Sequence, residues 1–83
     1  MHITVRYFAS IREAMGTGSE ELATTAATVA ALRTELMARS PAAAQALAQG
    51  KAVRMALNQA MCKGDAPLQA GDEVAFFPPV TGG

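Results

Sequence analysis

The chain has 83 residues, with seven basic and seven acidic side chains and no net formal charge. That length fits one small domain without a separate substrate domain, and the balanced charge lacks the basic footprint of a nucleic-acid binder. Hydrophobic residues make up 51% of the chain but aromatics only 5%, so a modest core must rest on scattered Leu, Ile, Val, Met and Phe among many alanines. The single cysteine, Cys62, cannot form an internal disulfide and fits a reducing compartment. The opening "MHITVRYF" alternates and carries Arg6, unlike a signal peptide, and no run approaches the length of a membrane span. A cytoplasmic protein is expected, with neither nucleic acid nor membrane among its partners.

The stretch "HITVRYF" (2–8) has the period-two rhythm of a strand. It places Ile3, Val5 and Tyr7 on one face and His2, Thr4, Arg6 and Phe8 on the other. In "SIREAMG", Ser10 and Glu13 have the spacing of a capping box, and Gly16 can end the helical turn. "GTGSEELA" reads as a turn into a short strand near 21–23. The clearest helix is "TVAALRTELMARSP", with Thr28 as N-cap and Pro41 discouraging continuation past Ser40. Val29, Leu32, Leu36 and Met37 form its apolar stripe, while Glu35 and Arg39 have the spacing of an exposed i,i+4 pair. "AAAQALAQG" extends helical character by a turn or two, with Gly50 as its stop. Strands at 53–57 and 60–63 suggest a hairpin turning at Asn58-Gln59. "GDAP" (64–67) is a further turn, and Gly71-Asp72 turns into a final strand. The order predicts an α+β domain in which one mixed sheet wraps around one main helix.

The ending "FFPPVTGG" (76–83) carries the chemistry. Gly82 and Gly83 lack a Cβ, so a terminal carboxylate can pass through a channel too narrow for other residues. Pro78 and Pro79 stiffen the exit from the sheet. The six residues Pro78, Pro79, Val80, Thr81, Gly82 and Gly83 span up to ~20 Å when extended. Two terminal glycines alone leave a frayed end equally open; the aromatic and proline root favours a probe that delivers the carboxyl group to another protein's active site. A carboxylate is a poor acyl donor until activated, most simply as an acyl-adenylate formed with ATP. The chain carries no phosphate-binding glycine-rich loop, so another protein must supply that step. Sulfur displacing AMP gives a thiocarboxylate, and a lysine amine gives an isopeptide bond.

Strand alternation also bears on docking. Val74 and Phe76 share one face of the last strand, and Ala75 and Phe77 the other. If the helix covers Val74 and Phe76, Phe77 is left on the open side. Phe8 falls there by the same count, and Met61 can join from the hairpin. Such a cluster would make a hydrophobic partner patch.

"GDEVAFFPPVTGG" (71–83) resembles the terminus of the ubiquitin-like sulfur carriers that serve as small subunits of molybdopterin synthases. "YFASIREAMGT" (7–17), "TVAALRTEL" (28–36) and "ALNQAM" (56–61) resemble that family's first strand and turn, main helix and hairpin. The resemblance implies a β-grasp fold at 1–77, with the first and last strands side by side at the sheet centre and a flexible tail at 78–83. It implies that Gly83 is adenylated by a ubiquitin-activating-type adenylyltransferase and converted to 1-thioglycine by a sulfurtransferase. Its sulfur would then pass to cyclic pyranopterin monophosphate inside the large synthase subunit, in a heterotetramer. The chain would be the non-catalytic sulfur donor, with no bound cofactor, no metal, and ATP consumed by the activating enzyme. The resemblance also adds Arg12 as a polar contact beside Phe8, Met61 and Phe77. Two alternatives remain, a sulfur carrier for thiamine thiazole synthesis and a ubiquitin-like protein modifier.

Other residues read more simply. Cys62 is expected to be a packing residue rather than a persulfide carrier, and His2 has no partner ligands for a metal. Asp72 and Glu73 are expected to be solvated at a turn, and Lys51 and Lys63 to be surface charges.

Overall fold

The computed structural model describes residues 1–48 and 52–79. Strands β1 (His2–Tyr7), β2 (Ser19–Ala23), β3 (Arg54–Leu57), β4 (Ala60–Cys62) and β5 (Glu73–Phe77) form one five-stranded sheet in the order β2-β1-β5-β3-β4. β1 and β5 run parallel, with Val5 opposite Val74 and Tyr7 opposite Phe76, and the other neighbouring strands are antiparallel. The final strand is therefore the central one, held on both sides. Helices α1 (Ala9–Met15), α2 (Val29–Met37) and α3 (Pro41–Ala46) complete the β-grasp arrangement.

The period-two face of β1 is the buried one. Ile3, Val5 and Tyr7 join Val74 and Phe76 in a cluster with Val29, Leu32 and Leu36 of α2 and Leu47 beyond α3. Each such large side chain, taken fully out of water, contributes on the order of 1.5–3 kcal/mol before ordering costs. Tyr7 keeps its polar end satisfied by donating to Glu20 Oε2 at 2.8 Å. Burial, and then this bond to a carboxylate, push its pKa far up.

α2 begins as its sequence suggests, with the Thr28 hydroxyl accepting from the Ala31 N–H at 3.1 Å. Two more N-terminal N–H groups are met from a distant loop: Val29 donates to the Ala66 carbonyl and Ala30 to that of Gly64, at 3.0 and 2.8 Å. A Cβ on Gly64 would stand 3.0 Å from the Ala30 methyl, tighter than ordinary contact, so glycine keeps this approach unstrained.

Several local expectations need correction. Ser10 does not cap α1: the helix starts at Ala9 with Phe8 at the N-cap and no side-chain cap bond. Ala9 sits in the left-handed region (φ 51°), and the Phe8 carbonyl accepts from both Ile11 and Arg12, so Ser10 falls inside the first turn. Gly16 does end α1, at φ 79° with its N–H on the Arg12 carbonyl. β2 is longer than 21–23. Glu35 and Arg39 do not pair: Arg39 reaches Glu20 on β2 at 3.0 Å, while Glu35 accepts from the buried Thr24 hydroxyl. α2 stops at Met37, and Pro41 opens the separate α3, capped by Ser40 accepting from Ala43. The expected stop at Gly50 lies outside the described residues.

Candidate docking face and tail root

β5 emerges between two neighbours, so the chain leaves the sheet from its best-held strand. Alternation sends Val74 and Phe76 under the helices and Ala75 and Phe77 to the other side, which no helix covers. On that open side Phe77 is half-buried and meets Phe8 edge to face, with ring centroids 6.2 Å apart and planes at 87°. Phe8 is 41% exposed and Met61 58%. The register explains their spacing: Met61 lies opposite Ala56, Ala56 opposite Ala75, and Ala75 opposite Arg6. Two alanines thus form a low floor, with the aromatic pair at the tail end and Met61 toward the sheet edge.

Cations border this apolar patch. The Arg6 guanidinium lies 5.5 Å from the Phe8 ring centre and 3.8 Å from Glu73. Arg54 stands opposite Phe77 in the ladder and is exposed. Arg12 is exposed on α1, four residues after Phe8. The structure therefore brings Phe8 and Phe77 into contact and puts Met61 on the same face, while Arg12 is joined to Phe8 through its backbone N–H and carries its guanidinium against Gly18. The border residues Arg6 and Arg54 were not among the expected contacts. The period-two count had already put Arg6 on the face of Phe8, and that was the signal available for it.

At the root of the tail Pro78 is half-buried and Pro79 exposed. Both line a cleft of about 370 Å³ on the helix side, with Ile11, Ala14, Ala46 and Val53. Val80, Thr81, Gly82 and Gly83 lie outside the described residues.

The other chemical candidates have structural roles. Cys62 packs against the core; burial, with Asp65 nearby, raises its pKa and keeps it a thiol rather than a reactive thiolate. Asp72 is more than a solvated turn residue. Its carboxylate accepts from the Asn58 amide at 3.0 Å and from the Gln69 N–H at 2.8 Å, and these bonds, the first most, hold its pKa below the usual carboxylate value. His2 and Lys63 are exposed, and Lys51 lies outside the described residues. Among the described residues no group of three or more His, Cys, Asp or Glu side chains is placed to hold a metal ion, and no helix is long and apolar enough to cross a membrane.

Known proteins resemble this chain along its whole length. A family model described as the ThiS family matches residues 5–83. The molybdopterin synthase sulfur carrier subunit of Escherichia coli (strain K12) is 51% identical over 81 residues, which cover 98% of this chain and 99% of that protein. SAMP1 from Haloferax volcanii has a solved structure similar at a TM-score of 0.79 and 25% identity, over 100% of both chains. A protein–protein complex of subunits 1 and 2 of molybdopterin-converting factor from Helicobacter pylori 26695 contains a chain similar at a TM-score of 0.69 and 25% identity, again over 100% of both.

Proposed function

The chain belongs to the ThiS family, and from that premise we propose that it is the sulfur carrier subunit of a molybdopterin synthase, with Gly83 as the carrying residue. The observation that carries this reading is the 51% identity to a protein of that name across nearly the full length of both chains. In the proposed cycle, a Gly83 carboxylate oxygen attacks the α-phosphorus of ATP on an activating enzyme and pyrophosphate leaves. A sulfide-level sulfur supplied by a sulfurtransferase then displaces AMP, giving a thiocarboxylate. Inside the large subunit that sulfur passes to cyclic pyranopterin monophosphate, water restores the carboxylate, and a second round completes the dithiolene.

This chain's part is to present the acyl group. Its tail root grows from the central strand, which favours a tail aimed by the sheet rather than one that searches for its target. Phe8, Phe77 and Met61 would anchor the large subunit, with Arg12 as a polar contact, in a heterotetramer. The Helicobacter pylori complex of subunits 1 and 2 supports a partner of that kind.

Intact-mass spectrometry of the protein isolated from its host tests the reading. A gain of about 16 Da, sulfur replacing oxygen, is expected on the C-terminal fragment. Deleting Gly83 should abolish sulfur transfer while leaving the fold unchanged. Transfer that survives the deletion would overturn the carrier role. Lysine-linked conjugates that resist thiol reagents would point instead to a protein modifier.

A further inference from the structure

We infer that Gly18 is a positioning residue for docking: having no side chain, it lets the Arg12 guanidinium lie across it to meet a carboxylate of the large subunit. The inference rests on the docking reading above and adds to it the device that aims one of its contacts.

The Arg12 N–H donates to the Phe8 carbonyl at 3.2 Å, which fastens the base of the arginine to the edge where β1 ends. Gly18 is fastened to that edge, its carbonyl accepting from the Tyr7 N–H at 3.0 Å. A Cβ on residue 18 would stand 3.1 Å from Arg12 Nε, 3.3 Å from Cζ and 3.5 Å from Cδ. The first two are tighter than ordinary van der Waals contact, so the guanidinium end would have to shift by a few tenths of an ångström. The backbone supplies no other reason for glycine here. Among the described glycines the left-handed conformation occurs at Gly16 and Gly71, not at Gly18. The requirement at residue 18 is therefore space, and the group that uses the space is Arg12. Both line a shallow depression of about 300 Å³ with Glu13, Gly16 and Thr17. No carboxylate among the described residues pairs with Arg12, so its charge is available to a partner.

The clash in Gly18→Ala falls on a flexible side chain, so the fold should tolerate it. Its melting temperature should match or slightly exceed that of the parent, since alanine restricts the unfolded chain. Association with the large subunit should be measured for the parent, Arg12→Ala, Gly18→Ala and the double variant, at low and high salt. Arg12→Ala should slow association about fivefold at low salt and Gly18→Ala by a smaller factor, and both effects should shrink at high salt, as expected for a charge at an interface rim. The double variant should be no slower than Arg12→Ala alone. If Arg12→Ala weakens docking and Gly18→Ala does not, the positioning role is overturned and the docking reading stands. An Arg12→Ala variant that associates like the parent removes Arg12 from the interface and overturns the inference with it. A Gly18→Ala effect that persists undiminished without Arg12 also overturns the inference, because the methyl would then act on something else.

Discussion

Along β5, Val74 and Phe76 are sealed under the helices, whereas Ala75 and Phe77, one residue away in each case, belong to the uncovered side. The same backbone thus serves two surfaces with different demands. On the covered side the chain supplies its own complement: Phe76 is fully buried and packs near Tyr7, with ring centroids 6.4 Å apart. On the uncovered side the complement is missing. Two small residues make a floor, two aromatics lean on each other at the tail end, and arginines border them. A sheet used only as a core needs neither the aromatic pair nor that border. Side chains on the first surface hold the domain together, and those on the second stand outside that core.

Neighbouring phenylalanines give the sharpest way to break this distinction. Phe76→Ala should cost about 3–5 kcal/mol of stability, from lost burial and the cavity left behind. For a small domain with roughly 5–15 kcal/mol in hand, that is a large share, and urea unfolding would read it directly. Phe77→Arg should leave the unfolding midpoint close to that of the parent. Its effect should appear in affinity for the large subunit, as a loss of about 2 kcal/mol or more, near thirtyfold. If Phe77→Arg unfolds the domain as readily as Phe76→Ala, the two faces do not differ in the way proposed.

The same comparison shows what could be read from the residues alone. Period two in β1 and β5 assigns Ile3, Val5, Tyr7, Val74 and Phe76 to the core because strand geometry depends only on local alternation. Thr28 and Gly16 are legible for a similar reason, since a cap depends on residues three or four away. Failures came where partners are distant in sequence. Arg39 has a local option in Glu35 but takes Glu20 because β2 lies alongside, and Glu35 is occupied by Thr24. Arg33 sits within the α2 pattern with nothing to mark it as buried. It is 7% exposed, and its Nε and Nη2 donate to the carbonyls of Leu47 and Ala48, both at 2.8 Å. That clamp exists because α3 ends there, which no spacing in α2 encodes. The Ser10 capping box failed differently: Ala9 enters the left-handed region and the helix starts two residues early, with Phe8 at its N-cap. At the site, Phe8 and Phe77 were legible by alternation, while the seat of Arg12 on Gly18 depends on a turn folding back onto β1.

The smallest expected effect belongs to Asp72, which ties the uncovered face's hairpin to the start of β5. Its carboxylate accepts from Asn58, and Asn58 in turn accepts from the Glu73 N–H at 3.0 Å and occupies a positive-φ turn position. These bonds favour the ionised form, so the folded-state pKa lies below the ordinary carboxylate value of 3.8. Their stabilisation is complete above that ordinary value and is lost as the pH falls through the lower folded-state one. The group is close to solvent, so screening limits the charge-dependent part to a few tenths of a kcal/mol. Asparagine at this position keeps an acceptor but has no charge to lose. The stability gap between the parent and Asp72→Asn should therefore be widest near neutral pH and should narrow in acid, as urea midpoints taken across that range would show. A gap that stays constant with pH would mean that the turn is held by shape alone, and that the carboxylate's charge contributes nothing to joining the hairpin to the strand that carries Phe77.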